Sequence, residues 1–238
     1  VTIDAGGIGT TVSVGGNSTV AISDITITGG GSGGIAIGSG SDVTLTNVDV
    51  TGNSSAEGGG IYNDGTLNVI GGSISSNAAG GGAGIYNAGQ VDISGALLAD
   101  NGGSAGGAIY NDSEGTATLV NTDVTDNYAS TGGGGIWNNG GAVDITGGQF
   151  LRNHAGPLAR AGAIDSASGG TVAINGTDFI RNGGRFGGAL FLVDDVTITG
   201  ATFEGNVAGF RDDENGRGGA IAAIPAERIK KTGAQLYD

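Results

Sequence analysis

Three apolar rows recur along the chain at intervals of about 24 to 31 residues, each with its own local pattern. The first belongs to a small-small-aliphatic-aromatic cluster. It reads Gly59-Gly60-Ile61-Tyr62-Asn63, Ala83-Gly84-Ile85-Tyr86-Asn87, Gly107-Ala108-Ile109-Tyr110-Asn111 and Gly134-Gly135-Ile136-Trp137-Asn138, with reduced copies at Gly34-Ile35, Ala163-Ile164, Ala189-Leu190 and Ala220-Ile221. The second is an alternating pair: Leu67 and Val69, Val91 and Ile93, Val143 and Ile145, Val172 and Ile174, Val196 and Ile198. The third runs Val50, Ile74, Leu98, Val124, Phe150, Phe179 and Phe203, each three residues before an Asn. Alternation with period two is the mark of a strand with one buried face. A repeat of this length built from such strands is one coil of a solenoid. Three inward rows predict three short strands per coil. The whole is an all-β parallel β-helix of about eight or nine coils over residues 1–224, with neighbouring strands ~4.8 Å apart.

Stacked coils turn equivalent residues into ladders. Asn53, Asn77, Asn101, Asn127, Asn153, Asn182 and Asn206 form one such row, expected to pair amide to amide or amide to corner backbone. Tyr62, Tyr86, Tyr110 and Trp137 each follow an inward Ile, so alternation turns them outward as a stripe. Their spacing is near the rise of a sugar ring along a glycan, which makes the stripe a candidate surface for a polysaccharide or cell-surface glycan. Because the aromatic belongs to the repeated cluster itself, the stripe reads first as an aromatic ladder that shields the sheet or packs under a loop. Asp165 interrupts it before Phe191. An outward Thr row (Thr44, Thr118, Thr197) is broken by Asp92, Asp144 and Ala173, which excludes a flat ice-binding array.

Composition narrows the picture. Gly accounts for 54 of 238 residues and Pro for 2, without the Gly-X-Y period of collagen. The Gly residues fall at corners, where a tight solenoid needs positive φ or close backbone approach. The absence of Cys excludes a disulfide framework and thiol chemistry. No apolar run reaches the ~18 residues that would span a bilayer. The formal charge of −14 is unevenly spread: residues 1–151 hold 13 acids and no Lys or Arg, and all 9 basic residues lie between Arg152 and Lys231. Such a surface repels nucleic acid, so no nucleic-acid partner is expected.

The Gly-Ala-Ile/Leu clusters at 107–109, 188–190 and 219–221, together with Phe150-x-x-Asn153, Phe179-x-x-Asn182 and Phe203-x-x-Asn206, resemble the paired repeats of polymorphic outer membrane proteins. The Gly-Ile-Tyr-Asn version is similar to repeat tracts in secreted bacterial proteins of the pectate-lyase-like superfamily. The resemblance covers roughly residues 10–224. It implies a right-handed parallel β-helix, exported and displayed at a bacterial cell surface as a rigid spacer or adhesive passenger. It leaves chemistry open, since this fold hosts binding proteins and enzymes alike.

Two alternatives follow from the later coils. A polysaccharide lyase or hydrolase would centre on Arg152, Asp165 and Arg181, with His154, Arg160, Arg185 and Phe186 in similar coil phase. Arg152 and Arg181 should stack directly and could hold an acidic sugar. No catalytic pair can be assembled, however: Asp123 and Asp195, the fragments nearest a pectin-hydrolase motif, fall about three coils apart. The Asp212-Asp213-Glu214 loop is a weak Ca²⁺ candidate without alternating ligands, so no cofactor is expected otherwise. The second alternative is a subunit of an extracellular filament or surface layer, through end-to-end association of open coils. Residues 225–238 leave the repeat; Pro225 through Gly233 read as a short helix capping the last coil.

Overall fold

The computed structural model describes residues 1–193, 195–209, 219–223, 229–232 and 235–237, the last two stretches as backbone strands. Apart from the edge strands at each end, the strands pair in parallel with their equivalents one coil before and one coil after. The result is a solenoid whose sides are continuous sheets. The aromatic sheet has nine strands, from Val12–Val14 through Ile61–Asn63, Ile85–Asn87, Ile109–Asn111 and Ile136–Asn139 to Ile221–Ala223. A second nine-stranded sheet carries the five-residue strands, such as Thr66–Ile70 and Gln90–Ser94. A ten-stranded sheet carries three-residue strands such as Ser73–Ser75 and Gln149–Leu151.

The three inward rows expected from alternation form one core. Ile61, Ile85, Ile109, Ile136, Ile164 and Leu190 are fully buried, as are Leu67, Val91, Val50, Leu98 and Val124. Phe150, Phe179 and Phe203 stack inside it at 5.1 and 4.9 Å between ring centroids. In the first coil Val20 and Ile22 are only partly buried, because no earlier coil covers them.

A fourth sheet is present where three were expected. Its seven short strands run from Ser54–Glu57 and Ala78–Gly81 to Val207–Ala208. These strands are two to four residues long and mostly Gly, Ala and Ser, too short and too poor in apolar residues to show an alternation. Only the backbone ladder marks this side of the coil.

The corner between the ten-stranded and the seven-stranded sheets carries the Asn ladder. Each Asn Nδ2 donates to the Oδ1 of the next Asn: 3.1 Å for Asn53 to Asn77, 3.1 Å for Asn77 to Asn101, 3.0 Å for Asn101 to Asn127, and likewise to Asn206. Each backbone N–H of the row donates to that same next Oδ1. A further Nδ2 bond reaches back one coil to the carbonyl of the inward residue there, as from Asn101 to Ile74 and from Asn182 to Phe150. The corner is turned by the residue before each Asn, which holds positive φ in every coil: Gly52, Ser76, Asp100, Asp126, Arg152, Arg181 and Gly205. A left-handed residue exposes backbone groups that must be satisfied, and the buried amides do so.

Of the C-terminal helix expected over 225–233, residues 229–232 are described and form a strand, which corrects the expectation there; residues 225–228 and 233 lie outside the described residues. Ile229–Thr232 pairs in parallel with Asp195–Thr199, and Gln235–Tyr237 with Thr202–Glu204. The physical reason is that an open sheet edge offers ladder partners at once, whereas an isolated helix of nine residues is marginal. At the other end Thr2–Asp4 is the edge strand of the ten-stranded sheet, in parallel register with Thr26–Thr28.

Replacing Asn101 by Leu strips partners from the Asn77 N–H and the Ile74 carbonyl, both in the buried corner. Orphaned buried groups cost ~1–3 kcal/mol each, so the loss should be on the order of 3 kcal/mol. Urea denaturation should show that drop in midpoint. Stability within experimental error of the parent would remove the ladder from its structural role.

Candidate functional site

The aromatic stripe lies on the outer face of the aromatic sheet, in the register Tyr62, Tyr86, Tyr110, Trp137, Asp165, Phe191. Its geometry decides what it can do. Tyr62 and Tyr86 stack at 5.3 Å and 4°, and Tyr86 and Tyr110 at 4.9 Å and 10°. With one ring per coil at strand spacing, each ring face meets the next ring, and the edges point outward. Gly81 packs against the edges of Tyr86 and Tyr110, and all four aromatic residues of the stripe are half-buried. Sugar C–H surfaces stack on ring faces, and in the middle of this ladder the faces are already occupied. Trp137 ends the stack with a tilt of 57° to Tyr110. Its six-membered ring lies against Gly132, where an added Cβ would fall 2.4 Å from Cε3. Its Nε1 is buried, with no hydrogen-bond acceptor among the described residues.

The phenols are locked by polar neighbours. Tyr86 Oη donates to Asp112 Oδ2 at 3.0 Å, and Asn139 Nδ2 donates to Tyr110 Oη at 3.0 Å. Burial raises the pKa of Tyr86 far above the usual 10.0, and the Asp112 hydrogen bond and charge add to it. Burial also raises Tyr62 and Tyr110; the Asp64 charge adds to the first and the Asp112 charge to the second, where the Asn139 bond opposes it.

Beneath the tyrosines runs a second amide ladder. Asn63, Asn87, Asn111 and Asn138 point inward, fully buried. Their Nδ2 groups donate to the next residue at 2.7, 2.8 and 2.9 Å, and Asn138 passes the row to Ser166 Oγ at 3.2 Å. The available sign was the period-two spacing from Ile61 to Asn63, which puts both on the same face.

Asp165 is fully buried and pairs with Arg160 Nε at 2.9 Å. Arg160 also lies over the Phe191 ring at 4.8 Å, Phe191 touches Phe186 at 5.8 Å, and Arg185 lies over Phe186 at 4.9 Å. This cluster pins the loop before Ile164 to the sheet and closes the stripe. Arg152 sits elsewhere, at the Asn-ladder corner, in a bidentate pair with Asp126 at 2.8 and 2.6 Å. The Arg152 hydrogen bond holds the Asp126 carboxyl below the usual carboxylate range. Arg181 stacks one coil beyond Arg152, as expected, and is exposed. The structure therefore divides Arg152, Asp165 and Arg181 between two faces, with Arg152 and Asp165 each committed to a different partner. Asp123 and Asp195 lie on different sheets. Among the described residues no three acidic or His side chains converge on a metal position. Asp194 and the Asp212-Asp213-Glu214 loop lie outside the described residues.

Residues 5–124, half of the chain, match the model of the right-handed β-helix region, and the chain belongs to that family. Neither a search of curated proteins nor one of solved structures gives a match. No helix of the described residues is long and apolar enough to cross a membrane.

A tyrosine that stays neutral in the folded chain stabilises it below the unfolded pKa, near 10, and that stability is lost as pH climbs above it. Melting temperature should therefore fall above pH ~10, and Tyr86→Phe should flatten the fall. An identical alkaline slope in the variant would show that Tyr86 titrates like a free phenol.

Proposed function

We propose that this chain is a rigid, non-catalytic β-helical spacer in an exported or surface-attached protein, presenting whatever it is joined to at a set distance. The observation that carries the reading is the unbroken course of two amide ladders, an aromatic stack and three core rows through consecutive coils. About nine coils at ~4.8 Å give a rod near 40 Å long. A rod whose backbone pairs without interruption resists bending and local opening, as a spacer must.

The stacked stripe supports this reading over glycan recognition. Aromatic platforms that bind sugars leave ring faces open, whereas Tyr86 and Tyr110 spend theirs on each other. The two Arg candidates for ligand binding, Arg152 and Arg181, lie on the corner and away from the stripe.

Titration of the single Trp with neutral and acidic polysaccharides tests the assignment. Trp137 emission should stay unchanged across the panel. A saturable shift, weakened in Tyr110→Ala, would overturn the spacer reading and make the stripe a glycan-binding surface.

A further inference from the structure

The corner column before the Asn ladder reads Gly52, Ser76, Asp100, Asp126, Arg152, Arg181, Gly205, one residue per coil. Its four charged members form a run of two acids followed by two bases. All four hold left-handed backbone, with φ of 55, 55, 52 and 53°. That conformation suits Gly, Asn and Asp but strains Arg. The middle two are paired within the chain, Arg152 to Asp126. The outer two, Asp100 and Arg181, are exposed and have no side-chain partner among the described residues.

We propose that this ridge is a self-complementary surface on which a second copy of the chain docks side by side and antiparallel. A twofold axis between Asp126 and Arg152 places Asp100 opposite Arg181 of the second copy, and Asp126 opposite its Arg152. That is the isologous arrangement, in which each contact occurs twice. The order acid, acid, base, base is matched at all four positions only by its own reverse. A polyanion lying along the ridge would meet Asp100 and Asp126, and a polycation would meet Arg152 and Arg181. Beside the axis, exposed Tyr128 and His154 are in register on adjacent strands, so each faces the other across the pair.

The charge of the whole chain points to the same orientation. Residues 1–151 hold 13 acids and no Lys or Arg, while all 9 basic residues lie further on. Antiparallel packing sets each acidic half beside the half that carries the cations. Parallel packing would set two acidic halves together. The ridge spans three coil steps, ~14 Å at the strand spacing. Such a contact falls in the class below about 1,200 Å², which forms transiently. The dimer therefore belongs at high protein concentration and low salt, consistent with a spacer that packs laterally at a crowded surface.

Sedimentation velocity from low to high micromolar protein, at ~0.1 M and ~1 M salt, tests the pairing, since the screening length shortens about threefold between them. The expected result is a dimer that gains population with concentration and is lost at the higher salt. Asp100→Arg and Arg181→Asp should each weaken it about tenfold by setting like charges opposite each other, and the double reversal should restore it. Circular dichroism should match the parent throughout, while melting temperature should fall slightly for Asp100→Arg, which puts Arg at a left-handed corner, and rise slightly for Arg181→Asp, which removes one. If a reversal fails to fold, Asp100→Asn and Arg181→Gly, residues suited to a left-handed corner, should still weaken the dimer. A chain that is monomeric under every condition overturns the proposal. So does a dimer indifferent to the single changes, or one that the double reversal fails to rescue.

Discussion

Everything in this molecule depends on parallel backbone pairing between successive coils at one strand spacing. Each coil must return the chain to the same phase as the coil before, or the ladders on all sides fail together. The corners are where that return is hardest, because positive φ there leaves peptide groups turned away from sheet partners. The Asn row resolves this by giving one side chain three tasks. Its Oδ1 accepts from the neighbouring backbone and amide, and its Nδ2 reaches both the next Asn and the carbonyl behind. The second row, from Asn63 to Asn138, does equivalent work beside the aromatic sheet.

The same spacing dictates the chemistry of the surface. Flat rings repeated at that distance on one column stack, and the stack takes the faces that a sugar would need. Charges repeated on one column meet their like or their opposite in the adjacent coil. Asp126 beneath Arg152 is a pair because the column changes sign between those coils. Where the period lengthens before Ile164, the chain needs a separate anchor, and the buried Asp165 with Arg160 provides it. A charged group withdrawn from water in this way requires its partner, which makes the pair a structural clasp.

Much of the fold was legible in the residues themselves. Strict alternation at Leu67–Val69 and its equivalents, and the fixed distance from Phe150, Phe179 and Phe203 to their Asn residues, were enough to place three core rows and one amide ladder. What escaped notice lacked an apolar pattern. The fourth sheet is built from strands of two to four residues, mostly Gly, Ala and Ser, and the second amide row hides among residues that also suit turns. The helix expected from Pro225 to Gly233 followed local propensity, and over Ile229–Thr232 the open sheet edge prevailed over it.

The candidate sites divide along the same line. The sequence by itself determined which residues share a column, because column membership depends only on the repeat: Tyr62 with Tyr86, Arg152 with Arg181. Only the tertiary structure decided what membership means. Ring orientation, the sinking of Asp165 beneath its loop and the choice of Asp126 as the partner of Arg152 are set by side-chain packing between coils. Side-chain packing depends on distances that no one-dimensional spacing carries, and so the architecture was readable before the chemistry was.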